Sequence, residues 1–329
     1  MIASFFLFFR IAFVFARLRI GRGLELGKDR HIKNAPGCGP RGFLGRHRQV
    51  SRDGVASLVP GNCRCANVAV VEVGKCADLK RFGDNFMADV AEHYEMLLAR
   101  HYSWMVGTEF DAKVAEQQAL LDELGVKGGG SAVDLGCGPG YQAVALAKLG
   151  FSPVTAVDGS QILLDELRAR AKAPSIQPVR ADIRDFKTFA APDSASAIVC
   201  MGDTLTHLQS LEDVSQVLAD AHRALKSGGL LALTFRDLSI ERSGLDRFLP
   251  IRADADRIMT CVLEFETDHV VINDLIYVRE GESWALNKSS YRKVRLGVDD
   301  VLADLRLLGF KVRVNRQLTN GMQAIAAMK

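Results

Sequence analysis

Asp134-Leu135-Gly136-Cys137-Gly138-Pro139-Gly140 closes a short apolar run at residues 131–135 and opens a helical pattern at Tyr141. Three glycines in five residues let the backbone turn tightly and let a ligand approach it without meeting a Cβ. Two familiar phosphate-binding readings fail here. Counted from Gly136, a dinucleotide-type G-x-G-x-x-G needs Gly or Ala at position 141, where Tyr141 stands, and the Gly-Lys-Ser/Thr of a P-loop is absent. Asp134 argues the same way, because a carboxylate beside the turn repels phosphate and favours a cation or an ammonium group.

Working outward, apolar strands at 131–135, 154–157, 176–180, 195–201 and 230–235 alternate with helices at 141–149, 161–171 and 212–225. Such alternation means right-handed βαβ units and a parallel sheet covered on both faces. Two helices precede it. One carries Val90, Tyr94, Leu97, Leu98 and His101 at helical spacing, and the other spans 111–124. After Phe235 the rhythm breaks into antiparallel strands at 257–265, 270–279 and 283–294. A helix at 298–308 and a strand at 310–314 close the chain. Ligands of doubly wound sheets bind outside the carboxyl ends of the strands. The inserted piece, about 238–296, leaves from that edge and is expected to roof a substrate site.

Two more acids follow. Asp158 ends the second strand, where a carboxylate can accept both hydroxyls of a ribose. Asp182 follows the third, placed to accept from an adenine amino group. Three acids on successive strand ends suit a cationic nucleoside without phosphate, and S-adenosylmethionine (SAM) is such a molecule. Asp134 has a competing role, as a cap that accepts backbone N–H bonds of the turn.

At these residues the chain resembles the class I SAM-dependent methyltransferases over roughly residues 87–329. The resemblance implies an enzyme with a doubly wound, Rossmann-like α/β fold: a seven-stranded, mostly parallel sheet with a small antiparallel β subdomain. It implies SAM as cofactor, held by Asp134, Gly136, Cys137, Gly138, Gly140, Asp158, Gly159, Asp182, Ile183 and Met201. Met201-Gly202-Asp203-Thr204-Leu205-Thr206-His207-Leu208 looks like the family's fourth motif and lacks the Asn/Asp-Pro-Pro-Tyr/Phe of nucleobase amine methylation. With Phe235-Arg236-Asp237 and the antiparallel strands, it is similar to glycine and sarcosine N-methyltransferases. Arg236 is then expected to hold an acceptor carboxylate through its guanidinium fork, or else to pair with Asp237 or Asp246. His207 is a candidate general base. Tyr102, Trp104, Thr204 and Tyr291 are expected beside the substrate, a small molecule with an amine or hydroxyl acceptor. A SAM-binding module without catalysis is the alternative.

Composition narrows the partners. Of 42 Lys and Arg and 39 Asp and Glu, residues 1–86 hold 15 and 6, and residues 87–329 hold 27 and 33. An acidic body is a poor match for a phosphate backbone, so no nucleic-acid partner is expected. Seven cysteines at irregular spacing suit a reducing, cytoplasmic compartment, and no metal cluster stands at ligand spacing. The apolar run at 2–15 is shorter than the roughly 20 residues of a membrane span, so no stable membrane insertion is expected. Residues 1–86 read as a basic extension, a targeting segment or an upstream start, before a domain at 87–329 that acts as a monomer or homodimer.

Overall fold

The computed structural model describes residues 89–329, so the reading of residues 1–86 lies outside the described residues. A helical run opens the body. It comprises α1 (Val90–His93), a π turn at Tyr94–Leu98, a 3-10 turn at Ala99–His101 and α2 (Tyr102–Val106). Asp89 caps its start by accepting the Glu92 N–H at 2.7 Å. α3 (Phe110–Glu123) follows and packs on the sheet.

Strands and helices then alternate: β1 (Ala132–Leu135), α4 (Tyr141–Lys148), β2 (Val154–Asp158), α5 (Gln161–Arg170), β3 (Ile176–Arg180), β4 (Ala195–Cys200), α6 (Leu211–Ala224) and β5 (Leu225–Phe235). Ser160 and Ser210 cap α5 and α6 by accepting backbone N–H bonds from Leu163 and Asp213. A second, four-stranded antiparallel sheet comes next, built from β6 (Phe248–Ala253), β7 (Arg257–Phe265), β8 (His269–Glu280) and β9 (Ser283–Val294). α7 (Val298–Leu307), β10 (Lys311–Gln317) and β11 (Gln323–Met328) return to the main sheet.

The main sheet has seven strands in the order β10-β11-β5-β4-β1-β2-β3. β1 to β5 are parallel, and β11 enters antiparallel to β5 and to β10. The doubly wound, mostly parallel sheet with an antiparallel subdomain is therefore as the sequence predicts. Two apolar layers flank it. One joins Leu135, Leu205, Leu218 and Phe235 with α6 and α7, and the other joins Leu121, Leu146, Phe151 and Leu167 with α3 to α5.

The differences are local. β6 and β11 carry no expected strand. β11 reads Gln-Ala-Ile-Ala-Ala-Met, and its alanines have weak strand preference. Burial between β5 and β10 overrides that preference, since Ala324 to Ala327 are fully buried. β5 begins at Leu225, ahead of the Gly228-Gly229 pair that reads as a turn.

Candidate functional site

Every parallel strand ends on one edge, and a cavity of about 1330 Å³ lies there, beneath the antiparallel sheet. Ligand pockets commonly run about 300–1,000 Å³, so the space suits two ligands side by side. Its walls divide into a half at the strand tips and a half under the roof.

The strand-tip half starts at the glycine turn. Gly136 has φ 71°, a left-handed value, and a Cβ there would run into the Thr204 side chain. Glycine lets the turn after β1 close against the turn after β4, where the Thr204 hydroxyl donates to the Met201 carbonyl at 3.0 Å. Asp158 at the tip of β2 ties two loops together. One oxygen accepts the Gly138 N–H and the other the Ser160 N–H, each at 2.8 Å. Burial pushes the Asp158 carboxyl upward against the lowering effect of those two bonds. Tyr102 of α2 covers the turn, its ring 3.7 Å from where a Gly138 Cβ would stand. Cys137, Gly159, Asp182, Ile183 and Met201 also line this half.

Asp182 is tied down by its neighbour. The Arg184 guanidinium donates to both of its oxygens, at 2.7 to 3.1 Å, and holds the carboxyl below the ordinary range. Any adenine amino group would share the carboxylate with that fork.

Under the roof, Asp203 lies between two cations. The Lys293 ammonium is 3.0 Å away, the Arg236 guanidinium donates to it, and the Arg236 N–H reaches it at 3.0 Å. Burial alone would raise this acid, but the charges of Lys293 and Arg236 outweigh it and hold the carboxyl far below the usual range. Arg236 thus pairs with Asp203. Of the acids expected from sequence, Asp237 instead accepts the Ser239 N–H and hydroxyl, at 2.9 and 2.5 Å.

His207 lines the cavity, with its ring 5.6 Å from that of Tyr94 and 5.7 Å from that of Tyr291. Its Nε2 is buried without a hydrogen-bond partner among the described residues. Burial and the Lys293 charge push the imidazole well below its ordinary range, so the ring is neutral and holds a free lone pair. Tyr94 stands where the two halves meet. Burial, then Tyr102, Asp158, Asp203 and Asp274, push its phenol upward.

Three expected site residues do not line this cavity. Asp134 is buried inside β1, where it accepts the Ala143 N–H of α4, and its second oxygen lacks a partner. Burial and the Asp158 charge push it to about 8, so it supports the turn from behind. Gly140 is the left-handed N-cap of α4, packed on Leu167. Trp104 props the roof instead of lining the site. Its Nε1 donates to Asp254 at 2.5 Å, with the Arg257 guanidinium 4.7 Å from its ring.

Three residues went unnoticed in the sequence, His93, Asp274 and Lys293, and Asp203 was read only as part of the Met201–Leu208 segment. Asp274 and Lys293 carry a legible signal. Asp274 falls in phase with Ile272 and Ile276 on β8, and Lys293 in phase with Tyr291 on β9, so each is a charge at an inward position. His93 has no comparable cue.

Residues 132–229 match the family model described as a methyltransferase domain. A glycine/sarcosine N-methyltransferase from Aphanothece halophytica is 30% identical over 165 residues, which is 50% of this chain and 58% of that protein. The matches to the first curated relatives span 35–58% of those proteins' lengths. Among solved structures, the CcbJ methyltransferase from Streptomyces caelestis superposes with a TM-score of 0.59 at 16% identity, covering 71% of this chain and 96% of that one. The sugar N-methyltransferase KedS8 from Streptoalloteichus sp. gives 0.56 at 15%, covering 78% and 98%. At such identities the structural likeness speaks for the fold. The chain carries a methyltransferase domain.

Proposed function

We propose that this protein, built on a methyltransferase domain, is a SAM-dependent enzyme that methylates an amine or hydroxyl of a small molecule. The observation that carries this reading is Asp158. It is a half-buried carboxylate at a strand tip, with each oxygen already fixed by a backbone N–H, in the wall of a cavity where five neighbouring strands end.

The residues present fit the cofactor. The Asp158 carboxyl stands in the cavity wall beside the turn, where a carboxylate suits a sulfonium or ammonium group. Gly136 and Gly138 present bare backbone, Asp158 offers lone pairs to ribose hydroxyls, and Ile183 and Met201 supply apolar walls. The bound cofactor supplies a methyl group activated by the positive charge on sulfur.

What remains for the chain is positioning and exclusion of water. Tyr94 and Tyr102 close the helical side, and the antiparallel sheet closes the other. His207 is neutral with a free Nε2, ready to take the proton that an amine or hydroxyl nucleophile releases. Arg236 keeps a half-exposed guanidinium toward the cavity for an acceptor carboxylate. The relatives' names support small-molecule chemistry, since one acts on glycine and sarcosine and another on a sugar nitrogen.

We place the enzyme in the cytoplasm, in keeping with the buried, unpaired Cys137, Cys200 and Cys261. No helix among the described residues is long and apolar enough to cross a membrane. The test is incubation with methyl-labelled SAM and a panel of small amines and hydroxy acids. Label in an acceptor supports the reading, and tight SAM binding with no transfer to any acceptor favours a binding module.

A further inference from the structure

Of the two charged residues of β6 to β9 that line the cavity, Asp274 and Lys293, Asp274 has none of the roles above. It lies in β8, 3% exposed, yet it lines the cavity. Its cross-strand partner on β7 is Cys261, whose thiol is pushed up to about 12 by burial and by the Asp274 charge. Met259 and Ile276, both buried, continue the same face. A carboxylate in such surroundings is costly without a positive partner.

Among the described residues only His93 lies within ion-pair distance, with Nε2 at 3.1 Å from Oδ2. The His93 ring rests on Tyr291, centroids 4.2 Å apart, and its Nδ1 is buried without a partner. His93 thus holds the Asp274 carboxyl in place at Oδ2, and Asp274 lines the cavity.

The other end of the roof has the opposite balance. Arg236 and Lys293 share the single carboxylate of Asp203. Lys293 faces Val270 across the β8–β9 pair, and Asp274 lies four residues farther along β8. At about 3.3 Å per residue the two positions are about 13 Å apart along one sheet face. Tyr291 and Ile272 stand between them.

We propose that Asp274, oriented by His93, anchors an ammonium group of the methyl acceptor, while Arg236 and Lys293 anchor a carboxylate at the far end of the same face. The acceptor is then a zwitterion whose charged ends are several bonds apart, longer than an α-amino acid. This rests on the methyltransferase reading. An ammonium so held has no lone pair, so it serves recognition, and the methylated atom lies elsewhere on the acceptor.

The test is calorimetric titration of the full chain loaded with S-adenosylhomocysteine. The probes are glycine, 4-aminobutanoate, 6-aminohexanoate and 8-aminooctanoate, beside butanoate, hexanoate and octanoate, which lack the amine. The longer amino acids are expected to bind about tenfold or more tighter than their amine-free partners, with glycine weakest. Asp274→Asn should erase that advantage while S-adenosylhomocysteine affinity stays within about twofold. His93→Gln, which keeps a donor for Asp274, should retain more of the advantage than His93→Phe. Equal affinity with and without the amine, an advantage that survives Asp274→Asn, a preference for glycine, or no binding by any probe would each overturn the proposal. Failure of the wild type to bind S-adenosylhomocysteine would strike instead at the methyltransferase reading.

Discussion

Asp203→Asn is expected to unsettle the roof through charge. The side chains of Asp203 and Lys293 are each 10% exposed and 3.0 Å apart. Asn keeps an acceptor for the Arg236 N–H but leaves Lys293 buried without its counterion. Removing one partner of a buried ion pair costs about 3–5 kcal/mol. Arg236 adds little, because its side chain is 56% exposed and an exposed pair is worth about 0–1 kcal/mol. The lower end, about 3 kcal/mol, is therefore the expected loss. In a body of this size each kcal/mol moves Tm by about 2–4 °C, so Tm should fall by about 6–12 °C. Adding Lys293→Met removes the stranded charge and should recover most of that fall, because the two sites share one interaction. Thermal unfolding of the wild type, both single variants and the double variant checks this. A fall of less than about 2 °C in Asp203→Asn, or losses that simply add in the double variant, would refute the assignment of the pair as buried and coupled.

Asp158→Ala should weaken S-adenosylhomocysteine binding by about 100-fold, from two charge-assisted hydrogen bonds at about 1.5 kcal/mol each; calorimetry showing unchanged affinity removes Asp158 from the site. The folded-state pKa of Asp134 is raised to about 8, so its contribution to stability is full below the unfolded value near 4 and is lost as pH rises through about 8. Asp134→Asn should therefore gain on the wild type between pH 5 and pH 9, and parallel melting curves across that range would contradict it. His207 is held well below its ordinary range by burial and Lys293, so its ring signals should not titrate between pH 6 and 8. An imidazole titrating near 6.5 by NMR would sink its role as a resident neutral base.

The strand-tip half of the site is legible in sequence because its determinants are local. The glycine turn, Asp158 and the Met201–Thr204 segment each follow a strand within a few residues, and a strand's apolar run shows where it ends. Asp134 shows the limit of that logic. Its position beside the turn suits a ligand contact or a cap, and only the direction of its side chain toward the Ala143 N–H decides. The place of Trp104 is hidden for a related reason, since aromatic spacing on a short helix does not say which face meets the roof. β11 was hidden because burial between two strands, not the preference of its alanines, makes it a strand.

The roof half is illegible for a different reason: its chemistry is made by pairs far apart in the chain. His93 and Asp274 are 181 residues apart, and Asp203 and Lys293 are 90. No window of sequence contains either pair: Asp274 and Lys293 stand on β8 and β9, while His93 comes from α1 and Asp203 from the turn after β4. The matched methyltransferase domain ends at residue 229, before the roof begins at Phe248. The family model thus matches the part of the chain that carries the strand tips, and on the proposed function the roof beyond it meets the acceptor. On the proposal above, the charges at Asp274, Lys293 and Arg236 select the acceptor, and exchanging Asp274 should change which acceptors bind without changing cofactor affinity.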